Sequence, residues 1–366
     1  MASETGLQQA QRPARGAHLA WILAVAYLLV IAYASLQPFR GWWIPPEDIR
    51  RFLTAPWPRY ITLEDVLINL SAYVPLGFLF SQALMARRRT LHAVALAAAL
   101  ACLLSVLMEG VQMFMSTRIA SNVDVVTNGL GGLIGALAAP LFSPTRRLGL
   151  KLSRLRGAWF VHGPSADVGL VLLALWLATQ FHPTAQLFGT GNLRHTFDLP
   201  NWFIHTPHHL LAAQAAVAGF NMLGLGLIAI ALTRSATGRA SVFAVVLGTG
   251  IAAKMSTALA LATSPSLFAW FTPGVMLGML LATLLLYGLL KLPRRAQWVA
   301  AALSFTAAVA AINIAPENPY QNTPAQLLAG PTHYLSFSGI VRALSELWPL
   351  LAVAYAAVAA IRRPAP

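Results

Sequence analysis

Seven polar side chains in the first half of the sequence lie within otherwise apolar segments, and their types could bind a polar ligand or exchange protons with it. They form three groups: Asp65 with Asn69, Glu109 with Gln112 and Arg118, and Asp124 with Asn128. The first and third groups repeat one pattern, Asp-Val-x-x-Asn, whose spacing places the carboxylate and the amide on one face of a helix. Glu109 and Gln112, three residues apart, also share a face.

The residue types predict distinct roles at such a site. Two carboxylates can serve as general acid and general base, so Glu109 and Asp124 are the candidate catalytic residues. The planar guanidinium of Arg118 suits a phosphate or a carboxylate. The other carboxylate and the amides are expected to bind and orient a ligand: Asp65, Asn69, Gln112 and Asn128.

Each of these residues also has a structural interpretation. An Asp in the first turn of a helix caps free N–H groups and lies at the positive end of the helix dipole, which suits Asp65 and Asp124. Glu109 lies near the end of its predicted helix, where a negative charge is disfavoured, so it needs a partner. Arg118 is the nearest cation along the chain. The amides can simply join helices, and the sequence leaves both interpretations open.

The composition indicates a membrane protein. Of 366 residues, 57% are hydrophobic and only 10% charged, with a mean hydropathy of +0.65. Soluble domains carry roughly 25% charged residues. Cys102 is the only cysteine, which excludes an intrachain disulfide and a cysteine metal site. The net charge of +14 is assigned to topology signals rather than to nucleic-acid binding, because Lys and Arg gather in short loops between apolar runs.

The apolar runs predict an all-α, polytopic transmembrane helix bundle of about ten spans. The first run ends in Ala32-Tyr33-Ala34-Ser35, which mimics a signal-peptidase site, but its length fits a retained span. Pro46–Leu53 is predicted to form a short helix on the membrane surface. The predicted spans are 19–36, 63–86, 91–115, 122–144, 167–183, 209–233, 241–262, 266–290, 296–314 and 344–361.

Charge in the loops predicts the orientation. Most of the 25 Lys and Arg residues lie in one set of alternate loops, so the positive-inside rule places both termini in the cytoplasm. The chain then divides into a cytoplasmic tail at 1–17, a four-span domain at 18–145, a basic cytoplasmic linker at 146–166 and a second membrane region of about six spans at 167–366. In this orientation all three polar groups meet at the outer leaflet.

Small residues and a proline are expected to shape this four-span domain. Gly131 and Gly135 form a small-xxx-small pair that allows the fourth span to pack closely against a neighbour. Pro75 and Gly77 are predicted to kink the second span below its polar turns.

The ordered set of motifs resembles the VanZ-like family of bacterial membrane proteins, over about residues 20–145. The residues that carry the resemblance are Asp65, Asn69, Pro75, Gly77, Glu109, Gln112, Arg118, Asp124, Asn128, Gly131 and Gly135. The resemblance implies the inner membrane and a link to resistance against teicoplanin-type glycopeptide antibiotics, which act on cell-wall precursors at the outer face. It implies no particular reaction.

The second half carries one unusual charge, Lys254, in the middle of an apolar run. An intramembrane cation predicts a functional site, and the alternative is a structural pair with an acid from another helix. His205, His208 and His209 have a spacing that could share a metal on one helical face, but Pro207 interrupts that register, and no metal is expected.

The leading hypothesis is an inner-membrane protein that binds or modifies a cell-envelope lipid or glycan intermediate at the outer leaflet. The expected partners are membrane lipids and a lipid-linked cell-wall precursor, without nucleic acid or a cofactor. Two alternatives stay open. One is a transporter or channel that uses Lys254 and the acidic helix ends, and the other is a structural subunit in which the polar residues only join helices.

Overall fold

The computed structural model describes residues 20–362, with gaps at 37–38, 40, 46–47, 49–50, 59–60, 62, 144–145, 181–187, 189–190, 195–205, 262–269 and 316–331. At 64, 257–261 and 332–343 it describes the backbone alone. Over these ranges the regular structure is helical, with two isolated β-bridges and no strand. The helices are α1 (Ala20–Leu36), α2 (Arg51–Thr54), α3 (Leu63–Met85), α4 (Thr90–Gln112), α5 (Asn122–Ala138), α6 (Arg147–Trp159), α7 (Pro164–Thr179), α8 (Pro207–Leu232), α9 (Arg239–Leu261), α10 (Pro273–Leu289), α11 (Arg294–Ile314) and α12 (Thr332–Ile361).

The all-α membrane architecture predicted from composition is confirmed. In the described part of the chain, six helices are long and apolar enough to cross a membrane: α3, α4, α5, α8, α11 and part of α12. Three shorter apolar helices, α1, α7 and α10, coincide with further predicted spans, and α9 coincides with the predicted span at 241–262. The total of ten spans and the cytoplasmic side of both termini stay predictions.

Several predicted boundaries are wrong, and local capping explains two of them. Helix α10 begins at Pro273 instead of 266, because Thr272 accepts a hydrogen bond from the Val275 N–H (3.4 Å) and Pro273 needs no N–H partner in the first turn. Helix α7 begins at Pro164 instead of 167, because proline again fits the first position of a helix. Helix α12 begins at Thr332, where the sequence predicted a loop up to about 345.

The chain divides into two compact units, Met1–Leu155 and Arg156–Pro366. The domain boundaries predicted from the sequence stay a prediction, although the segment predicted as a basic linker contains helix α6. Of the predicted surface helix at 46–53, the structure describes α2, whereas residues 46, 47, 49 and 50 lie outside the described residues.

The first unit is organised around the contact between α3 and α5, with α4 packed against both. A side chain at Gly131 would collide with the backbone carbonyl of Leu70, and one at Gly135 would collide with the carbonyl of Val74. From the first contact to the second, the residue number rises by four on both helices, so α3 and α5 run parallel with a fixed register. Only glycine permits this approach of two backbones.

The partner helix contributes the reciprocal contact. A Cβ atom at Gly77 of α3 would collide with the carbonyl of Gly132 on α5. Pro75 lies inside α3, two residues before Gly77. The packing role predicted for Gly131 and Gly135 therefore agrees with the geometry, and the structure adds a packing role for Gly77. The kink expected at Pro75 and Gly77 stays a prediction.

The second unit surrounds α8, which is the most buried of the candidate spans, with 78% of its apolar window inside the protein. A helix that is apolar on every side belongs in the centre of a bundle, and α10 and α11 pack along it. Trp348 stacks edge-on against Phe305 (5.3 Å between ring centroids), and its indole N–H donates to the Leu172 carbonyl (2.8 Å). These contacts join α7, α11 and α12.

Replacing Gly135 with Ala is expected to destabilise the first unit. The added Cβ meets the Val74 carbonyl and the Phe78 backbone nitrogen, so α3 and α5 must separate, at a cost of about 1–3 kcal/mol. Thermal denaturation of the purified protein in detergent measures the change. The matched control is Gly110→Ala, because a Cβ at Gly110 meets nothing within 4 Å. Equal melting temperatures for both variants would contradict the packing argument.

Candidate functional site

Glu109 lies in the last turn of α4 and is 4% exposed. Its Oε2 accepts a hydrogen bond from the backbone N–H of Ser121 (2.8 Å), and Ser121 is the N-cap residue of α5. The carboxylate, disfavoured at the C-terminus of its own helix, is therefore held at the positive N-terminus of the next one. The sequence suggested Arg118 as its partner, and the structure adds the start of α5.

Two charged neighbours complete the surroundings of Glu109. Its carboxylate interacts electrostatically with Asp124, in the first turn of α5, and with Arg118 in the connection between α4 and α5. Burial lowers the pKa of Arg118, and the Glu109 carboxylate opposes that shift. The structure thus brings together the two candidate catalytic carboxylates and the predicted cation.

Arg118 and Gln112 donate hydrogen bonds to the end of α1. Arg118 Nη2 donates to the Ala34 carbonyl (3.2 Å), and Gln112 Nε2 donates to the Ser35 carbonyl (3.0 Å). Carbonyl groups in the last turn of a helix lack partners within that helix. These bonds attach the end of α1 to the end of α4 and to the connection between α4 and α5. The predicted role of Gln112 and Arg118 in ligand binding stays a prediction.

The repeated Asp-Val-x-x-Asn motifs lie side by side. Gly135 lies against the turn of α3 between the Val74 carbonyl and the Phe78 nitrogen, and Leu76 is the middle residue of that turn. Counting back seven and eleven residues from Gly135 reaches the second motif, Asp124–Asn128, and the same intervals from Leu76 reach the first, Asp65–Asn69. The parallel register therefore places the two aspartates at one level and the two asparagines one turn further along.

Asn128 is buried, with 6% of its surface exposed. Its Nδ2 donates to the hydroxyl of Ser105 (2.9 Å), a fully buried residue on α4. Among the described residues, its Oδ1 has no hydrogen-bond partner, and neither does the Nδ2 of Asn69. The two motif asparagines thus offer one acceptor and one donor that the described part of the protein does not use.

Tyr73 belongs to the same cluster, although the sequence reasoning missed it. Its side chain is 3% exposed, and its hydroxyl approaches Ser105 without a well-formed hydrogen bond. It also interacts electrostatically with Glu109 and Asp124. A signal was present, because Tyr73 follows Asn69 by four residues, just as Ser105 precedes Glu109 by four, and such spacings share a helical face.

The loop after α1 lies against the connection between α4 and α5. The Trp43 N–H donates to the Phe114 carbonyl and the Ser116 N–H donates to the Gly41 carbonyl, both at 2.9 Å. Gly41 adopts φ +72°, where a Cβ would collide with Ser116. Trp43 itself remains about half exposed, as an interfacial aromatic residue would.

The candidates in the second half occupy different surroundings. Lys254, on α9, is 1% exposed. His208 and His209 lie in the first turn of α8, and His205 lies outside the described residues. Over the described ranges, no group of three His, Cys, Asp or Glu side chains could hold a metal ion.

Another buried cation, Arg194, was counted in the sequence only as a loop charge. Its guanidinium donates to the carbonyls of Asn313 and Ala315 at the end of α11. The Asn313 side chain in turn accepts from the Leu193 N–H (2.9 Å) and donates to the Gly191 carbonyl (2.9 Å). These bonds fasten the loop at 191–194 to α11.

The helices define the class of this molecule as an integral membrane protein, with a buried polar cluster in its first unit. Residues 19–143 match the model of the family described as VanZ/LLP1. The resemblance seen in the motifs is confirmed over residues 19–143, and further helices follow the matched region. No curated protein and no solved structure matches the chain.

Removing single hydroxyl groups should distinguish a hydroxyl that forms a hydrogen bond within this cluster from one that does not. Ser105→Ala leaves the Asn128 amide without its acceptor and is expected to cost about 1–3 kcal/mol of stability, whereas Tyr73→Phe loses no well-formed hydrogen bond and should cost less than ~0.5 kcal/mol. Thermal denaturation of both purified variants gives the comparison. A larger loss in Tyr73→Phe than in Ser105→Ala would refute this assignment of the hydrogen bonds.

The attachment of α1 can be tested in the same way. Arg118→Ala is expected to cost about 1–3 kcal/mol, because a part-buried carbonyl loses its donor. Gln112→Ala weakens the neighbouring contact, so the double variant should cost less than the sum of the two single changes. Arg88→Ala, in an exposed loop, is the control. Strict additivity in the denaturation midpoints would argue against a shared role.

Proposed function

We propose that the buried polar cluster of the VanZ-like unit binds a polar portion of a cell-envelope lipid or glycan intermediate, at the outer leaflet of the bacterial inner membrane. The observation that carries the proposal is a group of buried polar atoms without a hydrogen-bond partner among the described residues: Asn69 Nδ2, Tyr73 OH and Asn128 Oδ1. A buried polar group without a partner costs about 1–3 kcal/mol. Three such atoms beside two carboxylates support a site that a ligand completes.

The charges favour one kind of ligand. Asp65, Glu109 and Asp124 supply carboxyl groups to this part of the protein, and the guanidinium of Arg118 donates to the Ala34 carbonyl (3.2 Å). Carboxylates accept hydrogen bonds from hydroxyl, amide and ammonium groups, so the sugar or peptide portion of the intermediate suits the cluster better than a phosphate does.

A chemical step would use the same residues. Glu109 and Asp124 interact electrostatically, so one carboxyl group can act as general base and the other as general acid on the same ligand. In this version of the proposal the base accepts a proton from the ligand and the acid donates a proton to it. Product formation from a bound precursor, lost in both Glu109→Gln and Asp124→Asn, is the evidence that would distinguish catalysis from binding.

A second candidate function, transport across the membrane, is favoured by one observation. Lys254 is almost completely buried within α9, and charged residues within membrane helices commonly line ion or substrate pathways. Flux of labelled precursor through proteoliposomes that depends on Lys254, and is absent in Lys254→Met, would support transport. Binding without flux would favour the outer-leaflet site.

The binding proposal predicts that Tyr73→Phe and Glu109→Gln lose affinity while remaining folded. The probe is a polyprenyl-linked disaccharide-peptide precursor in nanodiscs, compared with polyprenyl phosphate that lacks the glycan. We expect the glycan-bearing probe to bind at least tenfold more weakly to each variant, which corresponds to about 1.4 kcal/mol. Teicoplanin-type susceptibility at matched expression gives the cellular measurement.

Gly110→Ala is the control for this experiment, because it adds a methyl group to open space on the same helix as Glu109. Equal binding of the two probes to the wild-type protein would show that phosphate rather than glycan is recognised. Unchanged binding and susceptibility in both variants would favour the structural-subunit interpretation and end the proposal.

A further inference from the structure

Helix α6 carries an apolar stripe that the described chain leaves exposed. Leu148, Leu152, Leu155 and Trp159 are spaced by four, three and four residues, which aligns them on one face of the helix. Their exposed fractions lie between 40% and 47%. The stripe therefore contributes little to the core of either unit.

A row of basic side chains flanks this stripe. Arg147, Lys151 and Arg154 repeat at the same helical spacing and are all exposed. The sequence contains no Asp or Glu between Asp124 and Asp167. Asp167 itself forms an ion pair with Arg156, so that pair lies apart from the basic row. The row is a positive surface beside an apolar one.

The connections of α6 restrict what can cover this surface. It follows the candidate span at Asn122–Phe142 after a few residues, and a few residues later the apolar helix α7 begins at Pro164. Both neighbours belong to membrane helices, so short connections hold α6 close to the bilayer surface. An amphipathic helix with leucine and tryptophan on one face and basic residues beside them binds an anionic membrane interface.

We propose that α6 is an interfacial helix that binds anionic phospholipid. Its leucine stripe and Trp159 insert among the acyl chains, and Arg147, Lys151 and Arg154 contact the phosphate groups of the lipid heads. By the loop charges this is the cytoplasmic leaflet. The surface fits a membrane better than a soluble partner, because the apolar and basic faces adjoin and both ends of the helix continue into membrane helices.

Site-directed spin labels on the full chain test this proposal. Cys102 is the only cysteine, so Cys102→Ser provides a background for Leu152→Cys on the stripe and Ser153→Cys on the polar side. In nanodiscs containing phosphatidylglycerol, the label at 152 should collide with oxygen and be protected from a water-soluble nickel complex, and the label at 153 should show the reverse.

The charge dependence is the second measurement. In phosphatidylcholine nanodiscs, or after Arg147→Gln, Lys151→Gln and Arg154→Gln together, exposure of the label at 152 to the nickel complex should rise at least twofold. Gel filtration selects folded protein in each case. Equal accessibility of the labels at 152 and 153 to the nickel complex in both lipids would overturn the proposal. The stripe would then be a candidate surface for a protein partner. Protection that is independent of lipid charge would overturn the proposed binding of anionic lipid.

Discussion

The hydrogen bond from the Ser121 N–H to the Glu109 carboxylate holds together the polar end of the first unit. A buried carboxylate in an apolar bundle is costly unless it is paired. The N-terminus of α5 supplies both a donor and the favourable end of a helix dipole. Because this bond joins the last turn of α4 to the start of α5, it fixes the connection that carries Arg118. Through Arg118 it also fixes the end of α1.

Close contact of α3 and α5 is the second constraint. Glycines at 77, 131 and 135 allow the two backbones to approach until carbonyl groups of one helix meet Cα atoms of the other. Such a contact tolerates no sliding, because a shift of one residue would replace Gly135 by Ile134 or Ala136. The register that results places the two Asp-Val-x-x-Asn motifs at equal height. The packing residues thus position the polar residues of the site.

Arginines at helix ends recur in both units. Arg118 donates to the last turn of α1, and Arg194 donates to carbonyls at the end of α11. The charge count treated both as ordinary loop residues on the less basic side of the membrane. The guanidinium group can reach several carbonyl groups at once, and near a membrane interface this satisfies backbone groups that few other side chains could reach. Their positions are therefore explained by helix capping as well as by topology.

The sequence by itself determined the all-helical membrane class, most of the helix positions and the resemblance to the VanZ-like family. Long apolar runs and the spacing of motif residues are local properties, so they can be read without knowing the fold. Helix boundaries were less accurate, because the start of α10 is set by the cap at Thr272 and by Pro273 rather than by the extent of the apolar run. Helix α12 likewise begins at Thr332, before its predicted span.

Only the tertiary structure decided which polar groups meet and which of them already have partners. The bond of Glu109 with the start of α5 and the inclusion of Tyr73 and Ser105 both depend on the packing of three helices. The use of Gln112 to hold α1 likewise joins residues far apart in sequence. Hydrogen-bond partners of this kind are set by the register between helices. No spacing along one helix can specify that register, so the polar residues were visible in the sequence and their pairing was not.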